Sequence, residues 1–265
     1  MRVKYYIHQQ QDNKKILHEY TSSLMKHMES GDKHPEIIHL IGKWSLCLFF
    51  ARKKALKMDI PVVYSPFSTL NPWHKKRFPR LDGDLVIAMS NIEKESLDEI
   101  GYKNKTRLIL NAIVTNATNE EEMFCKIAET YRYAIERKEQ GIQRDIQQRL
   151  KPYSEEILHI YQGNNLHPED TPEYQIIYLV LLIQRRIRRH DIPIAYLQSL
   201  HTLLLADNYD EQCIERIMQQ LQITSFASNL FEVMQSETGL TEGFMPIPPH
   251  HGALANKIKQ IITRY

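Results

Sequence analysis

The chain is poor in cysteine, which argues against a disulfide framework. Only three of its 265 residues are cysteines, Cys47, Cys125 and Cys213. They lie far apart, are odd in number and form no C-x-x-C pair. We interpret them as buried thiols of a protein in a reducing compartment.

Long apolar segments and a large excess of one charge are also missing. The amino terminus, MRVKYYIHQQQDNKK, lacks the apolar core of a signal peptide, and the apolar run at 178–183 is far too short to cross a membrane. The formal net charge of +2 is too small to indicate nucleic acid or an anionic membrane as a partner. Hydrophobic residues make up 42% of the chain, enough for a real core. We therefore expect a cytoplasmic globular protein that binds no nucleic acid and has no transmembrane segment.

The first half of the chain alternates short apolar runs with amphipathic stretches. The runs are β-branched and do not alternate with polar residues, which is typical of parallel strands covered on both faces. The sequence thus predicts a doubly wound, Rossmann-like parallel sheet. The predicted strands are 3–7, 37–41, 62–64, 85–89 and 107–110.

Beyond residue 120 the strand pattern stops and only helical spacing continues. A helix is predicted from Glu120 to Glu139, with Gly141 as its end. The remainder reads as helices at about 144–161, 173–190, 193–206, 210–221, 225–236 and 253–264. We predict an α/β class protein with a Rossmann-type domain at 1–140 and an all-helical domain at 141–265.

The stretch HLIGKWS places Gly42 between a strand and a helix. One interpretation is that the backbone approaches a ligand there, because helix amino termini at strand ends bind phosphates and sugars. The other is a strand-to-helix turn that needs a residue without Cβ. A single glycine does not decide between them.

Two longer stretches carry a family resemblance. They are HPEIIHLIGKWSLCLFFARKKALKMDIPVVYSPFSTLNPW and DLVIAMSNIEKESLDEIGYKNKTRLILNAIVT. Their motifs, in order, are H-x-x-G with Trp-Ser, a strand ending in Ser-Pro, a V-I-A-x-S strand and L-N-x-I-V-T. Over about residues 34–135 this resembles the amino-terminal, acceptor-side domain of family-4-type GT-B glycosyltransferases. The resemblance implies two Rossmann-like domains that transfer a sugar from a nucleotide-sugar to an acceptor.

The chain departs from that family at positions where the chemistry matters. Ile41 stands where the family usually has a histidine, and Phe67-Ser68 replace its His-Gly. The loop HQQQDNKK after the first strand has no glycine. The predicted helices after residue 140 leave no room for the second Rossmann domain, which holds the nucleotide-sugar in the family. We interpret the turn as the remains of a transferase site, either unused or reused, and we expect Phe67 to close part of the crevice.

The ligand site, if one exists, is predicted at the carboxyl ends of the strands. Lys43 would supply charge, the two tryptophans either sugar-stacking faces or plain packing, and the serines hydrogen bonds. The candidate crevice residues are His39, Gly42, Lys43, Trp44, Ser45, Ser65, Phe67, Ser68, Trp73, Ser90 and Glu93. No residue among them is assigned a catalytic role, and no cofactor or metal is expected.

Three functions fit these observations. The first is a non-catalytic accessory protein of polysaccharide or glycoconjugate biosynthesis that recognises a glycan, a lipid-linked sugar or a partner glycosyltransferase. The second is an active glycosyltransferase completed by a partner chain or a dimer mate, and the third is a pure interaction module. The basic run 74–77 is interpreted either as a contact with an anionic membrane surface or as an ordinary solvated loop.

Overall fold

The computed structural model describes residues 1–8, 14–28, 35–67, 72–81, 83–115, 119–161, 166–206 and 208–263. The chain divides into two compact units, Met1–Gln140 and Gly141–Tyr265.

The first unit contains a five-stranded sheet in which the strands lie in the order of the sequence. All four neighbouring pairs are parallel. The predicted parallel sheet is therefore confirmed, with strand ends that differ by at most two residues. The strands are Val3–Ile7 (β1), Ile37–Ile41 (β2), Val62–Ser65 (β3), Leu85–Ala88 (β4) and Thr106–Leu108 (β5).

Helices cover both faces of this sheet. Every residue of β2 is buried, which explains why four of its five residues are apolar, with His39 as the exception. On one face, Ile37 and Ile41 pack against the helices at 14–27 and 120–150. On the other face, Ile38 and Leu40 pack against the helices at 46–57 and 91–98. A short 3-10 helix at Phe78–Leu81 follows the third helix. The helices are Lys14–His27 (α1), Leu46–Lys57 (α2), Pro72–Arg77 (α3), Asn91–Asp98 (α4), Ala112–Thr115 (α5) and Glu120–Leu150 (α6).

The first two strand-to-strand crossovers have opposite hands. β1, β2 and β3 follow one another in one direction across the sheet, yet α1 packs on one face and α2 on the other. Parallel crossovers are almost always right-handed, so one of the two is of the rare hand. Strand order does not reverse within the five described strands.

The second unit is a helical assembly around one apolar core. Its helices are Ser154–Ile160 (α7), Pro172–Arg189 (α8), Ile194–Leu205 (α9), Glu211–Gln220 (α10), Thr224–Thr238 (α11) and Ala253–Ile261 (α12). The prediction of an all-helical domain needs one correction, because Ile192–Pro193 (β6) pairs in parallel with Ile262–Thr263 (β7). Pro193 has no amide hydrogen and a fixed φ, which favours this short extended link between α8 and α9.

Helix α6 corrects the prediction that Gly141 ends a helix. The helix runs through Gly141 to Leu150, and Ile142, Ile146 and Leu150 are all buried in the core of the second unit. A glycine inside a helix costs only about 1 kcal/mol. Burial of three apolar side chains offsets this cost readily, at about 1.5–3 kcal/mol each.

The prediction of buried thiols is right only for Cys213. All three cysteines are free, and Cys47 and Cys125 are exposed on the outer faces of α2 and α6. Within the described residues, no helix is both long enough and apolar enough to cross a bilayer.

Candidate functional site

His39 and Ser65 belong to a buried polar network, not to an open crevice. Both side chains are completely buried. The Nε2 atom of His39 lies 2.8 Å from Oγ of Ser65. Its Nδ1 atom lies 2.6 Å from the hydroxyl of Tyr131, which α6 contributes. Both ring nitrogens therefore have partners inside the core.

Burial determines the protonation of this network. Because the imidazolium form would lose its hydration, burial lowers the pKa of His39 from 6.5 to about 3. Burial also raises the pKa of Tyr5 to about 12. The Tyr5 hydroxyl interacts with that of Tyr131, although it has no partner at full hydrogen-bond geometry. The ring of His39 is neutral at physiological pH, so it is a poor candidate for binding an anion.

Gly42 is required by the neighbouring strand. Its φ is +108°, and a Cβ placed there would lie 2.4 Å from the carbonyl oxygen of His8. The Gly42 amide donates to the carbonyl oxygen of Ser65 at 2.8 Å, and the His8 amide donates to that of Ile41 at 2.9 Å. The space beside Gly42 is filled by the backbone after β1, which supports the interpretation as a structural turn.

Three of the predicted site residues are helix caps. Ser45 is the N-cap of α2 and accepts a hydrogen bond from the Leu48 amide at 3.3 Å. Ser90 is the N-cap of α4 and accepts from the Glu93 amide at 3.1 Å. The buried carboxylate of Glu93 turns back and accepts from the Met89 amide at 2.5 Å. This arrangement resembles a capping box, except that Glu93 reaches the amide of the residue before the N-cap.

Phe67 packs in the core next to α1. Its ring centroid lies 5.0 Å from that of Tyr20, and its side chain is partly buried against the core that α1 and α6 share. Its backbone has a φ of +57°, which is uncommon for an aromatic residue. The other half of the predicted pair, Ser68, lies outside the described residues.

The three remaining candidates, Lys43, Trp44 and Trp73, lie with two residues that were not predicted as site residues, His74 and Arg77. We call this cationic and aromatic group of five residues the tryptophan cluster. The rings of Trp44 and Trp73 meet edge to face with centroids 5.6 Å apart. The guanidinium of Arg77 lies 3.9 Å from the Trp73 centroid and 6.0 Å from that of Trp44. Trp44 is partly buried against the core, whereas 46% of Trp73 is exposed.

The tryptophan cluster holds two cationic side chains, Lys43 and Arg77, in a basic segment of the chain. Burial, and then the charges of Lys43 and Arg77, lower the pKa of His74. Residues 37–81 contain nine lysine and arginine residues and a single acidic residue, Asp59, although the net charge of the chain is only +2. This field suits an anionic group, and the exposed indole of Trp73 offers an apolar face beside it.

Two residues of these sites were missed by sequence reasoning for different reasons. Arg77 lies one helical turn after Trp73, so an i,i+4 pair was readable from the sequence. Tyr131 had no such signal, because 92 residues separate it from His39. Among the described residues, no group of three or more histidine, cysteine or acidic side chains is placed to hold a metal ion.

Comparisons with protein-family models, with curated proteins and with solved structures find no match for this chain. The glycosyltransferase resemblance therefore stays a prediction that rests on the motif residues alone.

Proposed function

We propose that this chain is a non-catalytic, glycosyltransferase-like binding protein that recognises a phosphorylated glycan or a lipid-linked sugar phosphate. The proposal places the protein in polysaccharide or glycoconjugate biosynthesis, as the motif resemblance implies. The ligand's phosphate would lie against Lys43 and Arg77, and its sugar ring against Trp73.

The tryptophan cluster is the observation that carries this proposal. Arg77 already lies over Trp73, so its guanidinium is oriented before any ligand arrives. Guanidinium groups match the geometry of phosphate oxygens. Since 46% of Trp73 is exposed, part of the indole remains available to a sugar. A ligand with an anionic group next to an amphipathic ring satisfies both features.

The surroundings of the turn favour binding over catalysis. His39 is buried, and both of its ring nitrogens already have partners inside the core, so its side chain does not face a ligand. The space beside Gly42 is occupied by the His8 carbonyl. The second unit, as far as it is described, has a two-residue parallel pair and no larger sheet on which a nucleotide diphosphate would rest.

The second candidate is an active transferase whose donor-binding half comes from another chain or from a second copy. The motif order over residues 34–135 favours it. An Ile41→His, Phe67→His double variant, mixed with a donor-domain protein, tests this candidate. Sugar transfer by that mixture would support the enzyme hypothesis and contradict a purely binding role.

Isothermal titration calorimetry tests the binding proposal directly. We expect no micromolar binding of UDP- or GDP-sugars, and salt-sensitive binding of a hexose 1-phosphate or of a short polyprenyl-diphosphate sugar in detergent. Lys43→Ala and Arg77→Ala should each weaken the latter about tenfold, which corresponds to 1.4 kcal/mol.

Lys57→Ala is the matched control, because Lys57 is an exposed lysine of the same basic segment at the far end of α2. Its affinity should stay within about twofold of the parent. Micromolar binding of a nucleotide-sugar by the chain alone would overturn the proposal. Binding of no sugar phosphate would leave the pure interaction module as the better hypothesis.

A further inference from the structure

Two adjoining cavities lie in the helical unit, away from every residue predicted as a site. The first, of about 600 Å³, is bordered by α8 and α9 and is lined by Tyr178 and Leu203, among others. The second, of about 530 Å³, is bordered by the last turns of α6 and the start of α7. Gln147, Glu169 and Tyr174 line both cavities. Each volume falls within the roughly 300–1,000 Å³ of small-molecule sites.

The first cavity has the lining of a site for an amphipathic ring. Tyr174 and Tyr178, one helical turn apart on α8, hold their rings nearly parallel at 13° with centroids 6.3 Å apart. Leu179 and Leu203 extend this apolar wall, and Ser199 and Thr202 contribute hydroxyl groups. The residues that line this cavity include no lysine, arginine or histidine. A pyranose offers a matching apolar face of C–H groups and a rim of hydroxyls.

The shared wall presents an oriented hydrogen-bond acceptor. Oε1 of Glu169 accepts a long hydrogen bond from the Gln147 amide at 3.4 Å. The backbone carbonyl of Glu169 accepts from the Gln175 amide at 3.1 Å. Burial, together with the nearby Glu169 carboxylate, raises the pKa of Tyr174, so its hydroxyl stays protonated as a donor. The Glu169 carboxylate, which the Gln147 amide contacts at one oxygen, is suited to accept hydrogen bonds from sugar hydroxyls.

The second cavity adds positive charge. Arg144, Lys151 and His167 line it together with Ser154. The Glu169 carboxylate repels an anion, so an acidic substituent is best placed at the Arg144 and Lys151 end. A ligand that fills both cavities therefore has a neutral ring at one end and a negative group at the other.

We infer that the helical unit binds an acidic saccharide, with a sugar ring against Tyr178 and a carboxylate or phosphate substituent towards Arg144 and Lys151. This site is separate from the tryptophan cluster. The inference shares only the saccharide class with the proposed function and does not need a ligand at the cluster.

Calorimetry with matched saccharides tests the inference on the full chain at low salt. The probes are a glucose disaccharide, its glucuronic acid counterpart, its 6-phosphate and inorganic phosphate alone. We expect both acidic disaccharides to bind about tenfold more tightly than the neutral one, a difference of 1.4 kcal/mol. Inorganic phosphate should bind more weakly than the 6-phosphate. Whichever of the glucuronic acid disaccharide and the 6-phosphate has the higher affinity shows whether the site prefers a carboxylate or a phosphate.

Variants separate the two parts of the site. Tyr178→Ala should weaken all disaccharides about tenfold, whereas Tyr178→Phe, which keeps the ring, should stay within about twofold. Lys151→Glu should abolish the preference for the acidic forms. Lys257→Glu, an exposed lysine of α12, is its charge-matched control and should have no effect. Trp73→Ala in the first unit should also leave this binding unchanged.

Several results would overturn the inference. They are no binding of any disaccharide, equal affinity for acidic and neutral forms, and loss of binding in Trp73→Ala but not in Tyr178→Ala. Hydrogen exchange of the parent protein covers the case in which Tyr178→Ala does not fold. Protection by the acidic disaccharide should fall on residues 169–179, and protection confined to residues 43–77 would contradict the site.

Discussion

The hydroxyl of Tyr131 on α6 lies 2.6 Å from Nδ1 of His39 at the centre of the sheet. The other ring nitrogen of His39 is paired with Ser65, so the imidazole is fully satisfied without water. This bond links α6 to the buried strand β2 through two polar groups that the core would otherwise exclude. A buried polar group that loses its partner is costly, which makes the pair a sensitive point of the fold.

Removing the Tyr131 hydroxyl tests this relationship. We expect Tyr131→Phe to lower the free energy of unfolding by about 1–3 kcal/mol, because Nδ1 of His39 would be left unpaired in the core. Urea unfolding followed by circular dichroism measures the change. Tyr133→Phe is the control, since Tyr133 is 43% exposed on the same helix, and its effect should stay within about 0.5 kcal/mol. Equal effects of the two variants would contradict a special role for Tyr131.

The neutral His39 predicts a loss of stability in acid. Its pKa is about 3 in the folded state and 6.5 in the unfolded chain, so between these values the unfolded chain binds more protons. The stabilisation is complete above pH 6.5 and falls by about 1.4 kcal/mol per pH unit as the pH drops towards 3.

Unfolding free energies at pH 7, 6 and 5 measure this slope, and His39→Gln should reduce it. The pKa of His74 is lowered as well, so it contributes with the same sign. His74→Gln is therefore the comparison, with the smaller change expected because His39 is the more deeply buried of the two. A slope that is unchanged in His39→Gln would argue that His39 is charged or exposed.

Alanine variants of two glycines distinguish the cost of a steric clash from the cost of backbone strain. Gly42→Ala should lower the free energy of unfolding for two reasons. Backbone strain at a φ of +108° costs about 1–3 kcal/mol. The contact between the new Cβ and the His8 carbonyl oxygen costs about 1–3 kcal/mol more. Gly101→Ala, with a φ of +87° and nothing within 4 Å of its Cβ position, should show only the strain. Thermal unfolding compares the two, and a Gly42→Ala variant as stable as Gly101→Ala would rule out the close approach of His8.

Gly141 offers a change in the opposite direction. It lies inside α6, and a Cβ there meets nothing within 4 Å. Gly141→Ala should stabilise the protein by about 0.5–1 kcal/mol, because alanine loses less backbone entropy in a helix. Chemical denaturation measures the gain. Destabilisation would mean that the helix breaks at this residue, as the sequence pattern first predicted.

Local sequence signals predicted the elements of the first unit well. The run 37–41 and its neighbours became the strands of a parallel sheet, because a strand covered on both faces is mostly apolar; His39 is the one polar residue of this run. Gly141 was misread because apolar residues at 142, 146 and 150 continue the helix, and their burial outweighs the cost of one glycine.

By itself, the sequence determined the α/β class of the first unit and the helical nature of the second, because the spacing of apolar residues within a segment distinguishes strands from helices. Only the tertiary structure decided what each candidate residue does. It placed Tyr131 beside His39, the His8 carbonyl against Gly42 and Arg77 over both tryptophans. It also brought α6, α8 and α9 together around the first cavity of the helical unit, which Tyr174 and Tyr178 line. Such neighbours come from elements distant along the chain, and packing of the whole core brings them together.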